Sequence, residues 1–276
     1  MFDINLRTPI SYYGGKQRML RHILPLIPSH DKYVEPFCGG AAVFFAKRPA
    51  KLEVINDKNG EVINFYRCCK ENQPALQRRI SSILHSRAIH RQAVLVYKNP
   101  QNYNKIERAA SFFICSAMCF GSIIGGSFST NKSVPNSSMP KRLIGKKKLF
   151  SYHLARRFDN AIIESLDAVK LIEMYDSDDA FFYVDPPYYN ADMGHYGGYT
   201  ADDFESLLST LSKIKGKFLL SCYPSDLIKK YVEKNGWRSK EFAAYTSATL
   251  SCKNRQRTEM LTFNYGLENE VENGIK

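Results

Sequence analysis

At 276 residues, 44% hydrophobic and 24% charged, the chain has the makeup of one large globular domain, or one domain carrying an insertion, and disorder is not its default. No apolar run reaches the ~18 residues of a membrane span, and the start MFDINLRTPI lacks the basic and apolar parts of a signal peptide. The net charge of +12 sits in one block, because residues 85–157 hold thirteen Lys/Arg against the single acid Glu107 and the remainder is balanced. A charge block that long and one-sided favours a polyanion partner over a merely solvated face.

The predicted elements alternate in the manner of an α/β protein with a mostly parallel sheet. KYVEP (32–36) reads as a first strand and GGAAVFFA (39–46) as the start of a helix directly behind it. LEVIND (52–57) is a second strand, followed by a helical stripe of Val62, Phe65, Tyr66 and Cys69. Helical pieces are expected over 75–96 and 104–120. The polar, basic stretch FGSIIGGSFSTNKSVPNSSMPKRLIGKKK that follows is expected to be loop or hairpin. The alternation then resumes with the strands AIIE (161–164), FFYVD (181–185) and KFLLSC (217–222). Between the last two, Phe204, Leu207, Leu208 and Leu211 form another helical stripe behind a Thr200/Asp203 capping box. EFAAYTSATL and EMLTFNY close the chain as a strand pair. Residues 71–157 thus interrupt an α/β domain made of 1–70 and 158–276.

Seven cysteines without a C-x-x-C pair and six scattered histidines form no metal-ligand pattern, so a reduced, cytoplasmic, metal-free protein is expected. Gly39 and Gly40 follow the first strand, where a backbone without side chains can approach a ligand, although a Gly-Gly turn also serves purely structural ends. Asp57 ends the next strand, where an acid can bind both hydroxyls of a ribose. G-x-G-x-x-G and G-x-x-x-x-G-K-[ST] are both absent, which disfavours a nicotinamide dehydrogenase. The absence suits a nucleoside ligand without phosphate, such as S-adenosylmethionine. Upstream, TPISYYGGKQRML puts Tyr12, Tyr13 and Lys16 around a flexible turn; a helix start with a solvated lysine explains it equally well.

The stretch FFYVDPPYY is more specific. Asp185 ends an apolar strand, where open α/β sheets place their ligands. Pro186 and Pro187 fix the turn and remove two backbone donors. Tyr188 offers a ring on which a base can stack. A carboxylate and a carbonyl held in one rigid turn can together accept both hydrogens of an exocyclic amino group; the alternative is a proline-stiffened strand exit.

Taken in order, TPISYYGGK, YVEPFCGGAAVFF, the strand-ending Asp57, FFYVDPPYY and RTEMLTFNY resemble the Dam-type DNA adenine-N6 methyltransferases over nearly the whole chain. The resemblance implies an α/β fold: a Rossmann-like class I methyltransferase domain with a mostly parallel seven-stranded sheet, and an inserted, mainly helical target-recognition domain at 71–157. It implies S-adenosyl-L-methionine as methyl donor, double-stranded DNA as partner, base flipping, and residence in the cytoplasm of a bacterium or phage-infected cell. Asp185, Pro186, Pro187 and Tyr188 align with the catalytic tetrapeptide. Tyr12, Lys16, Glu35, Phe37, Gly39, Gly40, Asp57, Asp167 and Asp185 align with cofactor-binding positions. The family often has an aromatic after the acid at 167; here Ala168 stands there. Lys132, Lys141, Arg142, Lys146, Lys147 and Lys148 are candidates for DNA-backbone contacts. FGSIIGGSFSTNKS departs from the hairpin of the GATC-reading members, so the target sequence stays open. His195, in the glycine-rich loop 190–200, reads as polar surface. Cytosine-N4, RNA or protein-amide methylation, and a non-catalytic DNA-binding relative, remain alternatives.

Overall fold

A computed structural model describes residues 6–130, 138–189, 199–245 and 256–267. Lys132, His195 with residues 190–198 of its loop, and the segment 246–255 lie outside them. The strands are β1 Lys32–Glu35, β2 Leu52–Asn56, β3 Ala161–Glu164, β4 Ala180–Val184, β5 Lys217–Cys222, β6 Arg238–Tyr245 and β7 Gln256–Phe263. The helices that precede β3 are α1 Leu20–Ile23, α2 Ala42–Ala46, α3 Gly60–Glu71, α4 Gln73–Ser81, α5 Arg87–Lys98, α6 Lys105–Met118, α7 Met139–Lys148 and α8 Tyr152–Arg156. Three follow it: α9 Ala168–Tyr175, α10 Ala201–Leu211 and α11 Asp226–Asn235.

The seven strands form one sheet in the order β3-β2-β1-β4-β5-β7-β6. The pairs β1–β2, β1–β4 and β4–β5 are parallel, while β5–β7 and β7–β6 are antiparallel. This is the mostly parallel, seven-stranded α/β sheet expected from the sequence. From β1 the chain proceeds to β2 on one side, and β4 takes the other side. The carboxyl ends of β1 and β4 therefore flank the point where open α/β sheets leave a crevice for ligands.

The chain divides into two compact units. One comprises residues 19–38, 48–58 and 166–276. Its central strand β4 is apolar throughout because both faces are covered. Val34, Val54, Phe182, Val184, Phe218 and Leu220 pack with Leu171 and Ile172 of α9 and with Phe204, Leu207, Leu208 and Leu211 of α10. Each such side chain stabilises the fold by about 1.5–3 kcal/mol. The anticipated capping box is present: Thr200 Oγ1 accepts from Asp203 N at 3.1 Å, and Asp203 Oδ2 accepts from Thr200 N at 2.7 Å.

The other unit comprises residues 1–18, 39–47 and 59–165, so the expected insertion, 71–157, lies within it. Its core is aromatic, with Phe44, Phe45, Tyr66 and Phe158 in mutual ring contact and Phe150 against both Phe65 and Phe113. Arg157 is buried here, its guanidinium 3.7 Å from the Phe44 ring centroid while its Nη2 donates to Phe44 O at 2.6 Å.

Two expectations are corrected. The helix over 75–96 is two helices, α4 and α5, separated by residues 82–86. The stretch 120–148 is only partly loop. Phe120 N donates to Ser127 O and Ser129 N to Met118 O, around an antiparallel bridge between Cys119 and Phe128. Residues 139–148, however, are helical. Ser138 caps that helix by accepting from Lys141 N, Pro140 lies in the first turn where its missing N–H costs nothing, and buried Leu143 anchors it. Lysine richness suggested loop, but Lys, Arg and Leu are good helix formers.

Candidate active site

Within the unit built on β1, β4, β5 and β7, the strand ends gather acids. Glu35 ends β1; it is buried, and Tyr33 Oη donates to its Oε2 at 2.7 Å. Asp57 directly follows β2 and is half-buried. Burial, reinforced by Asp57 and Glu35, pushes the Cys38 thiol well above its ordinary pKa, so Cys38 stays protonated among these acids. The framework is Asn56, which sequence reasoning passed over. Its Nδ2 donates to Pro36 O at 2.8 Å and Leu166 O at 3.1 Å, while its Oδ1 accepts from Leu166 N at 2.7 Å. Its own carbonyl accepts from Cys38 N at 2.8 Å. One fully buried amide thus ties together the segments that carry Glu35, Asp57 and Asp167.

Asp167 is exposed and caps α9, its Oδ1 accepting from Val169 N at 3.1 Å and Lys170 N at 3.3 Å. Phe37 contacts the ring of Tyr199 edge-on at 6.3 Å. Burial, with Asp203 and Asp167 nearby, pushes the Tyr199 phenol above its ordinary range, and its hydroxyl is buried without a hydrogen-bond partner among the described residues. Sequence reasoning missed Tyr199 too. It supplies, from another segment, an aromatic beside Phe37 and Asp167, where Ala168 departs from the family pattern.

Asp185 follows β4, and Pro186 and Pro187 lead to Tyr188. The Tyr188 hydroxyl lies 3.3 Å from Asp185 Oδ1 and 3.3 Å from Ser221 Oγ, and it donates to Glu259 Oε1 of β7. Burial first, then Asp185 and Glu259, hold this phenol well above its usual pKa, so it stays protonated. A small cleft is lined by Pro187, Tyr188, Tyr189, Phe204, Cys222 and Tyr223. The Tyr188 and Tyr223 rings meet at 4.4 Å, and Tyr189 packs against Phe204 at 5.3 Å. These rings give the carboxylate an aromatic wall suited to a planar heterocycle.

In the other unit, Gly39 adopts φ +44°, and a Cβ there would meet the Tyr12 ring at 2.9 Å. This glycine is demanded by both its backbone and its neighbour. Ala41, next but one, is left-handed at φ 49°, a strain of the kind that concentrates at ligand sites. Asn59 Nδ2 reaches Tyr12 Oη at 3.4 Å and Tyr97 Oη at 3.2 Å. Lys16 is buried and donates to Gly14 O at 2.9 Å.

The basic block is less uniform than its sequence. Arg157 is buried, Arg108 is paired bidentately with Glu61, and Lys105 lies 3.4 Å from Glu71. On α7, Lys141, Arg142 and Lys148 are exposed. Lys147 instead donates to the carbonyls of Ser81 (2.9 Å) and Ile83. Lys146 is partly covered, and burial lowers it to about 8. Exposed Arg87, Arg91 and Lys98 on α5 add cations that the reading of 132–148 omitted. Among the described residues no group of three or more His, Cys, Asp or Glu could hold a metal ion. None of the helices there is long and apolar enough to cross a membrane.

The chain is similar in sequence to known methyltransferases. A type II methyltransferase, M1.LlaDCHI of Lactococcus lactis subsp. cremoris, is 29% identical over 95% of this chain and 97% of its own. The type II methyltransferase M.MjaIII of Methanocaldococcus jannaschii is 25% identical over 93% and 98%. A DNA N-6-adenine-methyltransferase of Escherichia phage P1 is 25% identical over 91% of this chain, which spans 34% of that longer protein. The model of the D12 class N6 adenine-specific DNA methyltransferases matches residues 12–246, from the Tyr12 turn through the tetrapeptide at Asp185. The chain belongs to that family of DNA adenine-N6 methyltransferases.

Proposed function

We propose that this DNA adenine-N6 methyltransferase takes its methyl group from S-adenosylmethionine and acts on an adenine rotated out of double-stranded DNA. The observation that carries the reading is the tetrapeptide at the end of β4: a carboxylate and a proline carbonyl in one rigid turn, beside an aromatic-lined cleft. Adenine N6 is a poor nucleophile because its lone pair is delocalised into the ring. Hydrogen bonds from N6 to Asp185 and to the Pro186 carbonyl favour a tetrahedral nitrogen with its lone pair directed outward, and most of the catalysis is positioning and preorganised polarity. Asp185 need not be a strong base, since the methylated N6 is acidic. Tyr188 stacks the base, which cannot be reached within a duplex.

The residues present fit the cofactor. Its sulfonium supplies an activated methyl group and a positive charge that suits the acids at the strand ends. The buried Tyr199 hydroxyl, with no partner among the described residues, and the ring of Phe37 suit its adenosine part. Glu35, Asp57, Asp167 and Asp185 are assigned to it, together with Tyr12, Lys16, Gly39 and Gly40 by resemblance. Residues 71–157 are assigned to target recognition, with 1–70 and 158–276 as the catalytic domain. Phosphate contacts are assigned to Lys132, Lys141, Arg142 and Lys148, with weaker parts for Lys146 and Lys147.

The test is Asp185→Ala assayed with methyl-labelled cofactor and DNA. Methyl transfer is expected to fall by about 10²-fold or more while DNA affinity holds. Near-wild-type turnover of this variant would remove the assignment.

A further inference from the structure

We propose that Glu259 is a positioning residue of the methyl-transfer site: it accepts the single hydrogen bond that the Tyr188 phenol can donate and keeps that hydrogen off Asp185. The inference rests on the reading of Asp185 as an acceptor for adenine N6. The Tyr188 hydroxyl has one hydrogen to give, and within its reach among the described residues are Glu259 Oε1, Ser221 Oγ and Asp185 Oδ1. At 3.3 Å the contacts to Ser221 Oγ and Asp185 Oδ1 exceed the roughly 2.5–3.0 Å of an ordinary O–H···O bond, which leaves Glu259 Oε1 as the acceptor. Ser221 Oγ donates to the same Oε1 at 2.6 Å, so two hydroxyls converge on one carboxylate oxygen.

The setting marks this as a built arrangement. Glu259 is 5% exposed and Ser221 fully buried, and a carboxylate is costly there without donors. β5 lies between β4 and β7, with Ser221 opposite Leu261, so Glu259 is the diagonal neighbour of Ser221 on the same face. Tyr188, leaving the end of β4, reaches across β5 to β7. What the carboxylate adds is a charged acceptor, equal to Asp185 in kind, at which the phenol makes its hydrogen bond while Asp185 lies 3.3 Å away. A phenol proton resting on Asp185 would occupy an oxygen that the reaction needs for an N6 hydrogen.

The test compares kcat and KM, with genomic DNA from a methylation-free host as substrate, for the wild type, Glu259→Leu, Glu259→Gln, Tyr188→Phe and the two double variants. Glu259→Leu is expected to lower kcat about tenfold or more with little change in KM, because the phenol then turns to Asp185. Adding Tyr188→Phe, which keeps the ring and deletes the proton, is expected to restore part of the lost kcat. Glu259→Gln keeps an acceptor oxygen and is expected to stay within about threefold of wild type, with that loss vanishing in the Tyr188→Phe background. Wild-type kcat in Glu259→Leu, or effects at 188 and 259 that simply multiply, would overturn the proposal. Should Glu259→Leu fail to fold by circular dichroism, the isosteric Glu259→Gln decides alone: an equal effect with Tyr and with Phe at 188 overturns it. A wild type that puts no methyl on adenine defeats the functional reading itself, whereas an active wild type with uncoupled variants defeats only this inference.

Discussion

The side chains around Asp185 divide into those that meet the base and those that hold them. Pro186 and Pro187 were legible as a rigid turn because proline fixes φ whatever surrounds it. Glu259, Ser221, Asn56 and Tyr199 were not, because what they do depends on neighbours 33 to 110 residues away or on a hydroxyl left unpaired. Tyr189, without a role in the sequence, packs on Phe204. Tyr199 gives a prediction with opposite signs in two measurements. An unpartnered buried hydroxyl costs about 1 kcal/mol or more. Tyr199→Phe should therefore raise the melting temperature of the cofactor-free protein and weaken S-adenosylmethionine binding about tenfold, as read by calorimetry. A lower melting temperature with unchanged cofactor affinity would contradict that placement.

Among the elements, strands were the most legible. β1, β2, β3, β4 and β5 lie where short apolar runs put them, and β4, buried at every position, shows that pattern most fully. The α7 helix was hidden by its own composition, and the break between α4 and α5 by an apolar period that continues through Ile83. The Gly39 turn was read as room for a ligand; Tyr12 already occupies the space a Cβ would need. Gly39→Ala should cost at least about 2 kcal/mol in denaturant melts, from the left-handed backbone and the ring contact together. Thr200→Ala, which removes only the α10 cap, should cost about 1 kcal/mol.

For the whole molecule, the basic excess predicts DNA affinity that falls steeply with salt. The structure sorts the lysines. Lys141→Ala, Arg142→Ala and Lys148→Ala should each lower the slope of log K against log salt by about 0.9. Lys147→Ala should leave that slope nearly unchanged and lower the melting temperature, because its amine serves the carbonyls of Ser81 and Ile83. Filter-binding or fluorescence titrations between 50 and 200 mM salt, roughly the range over which phosphate contacts show, separate the two groups. The charge total was visible in the sequence; which charges are already spent within the fold was not. The central claim, an enzyme that places a methyl group on adenine N6 in duplex DNA, is tested most directly in a methylation-free bacterial host expressing the protein. Modification-sensitive sequencing of the host DNA should find N6-methyladenine at one short recurrent motif, and none with Asp185→Ala. Methylated cytosine N4, or unmodified DNA despite soluble wild-type protein, would contradict the account.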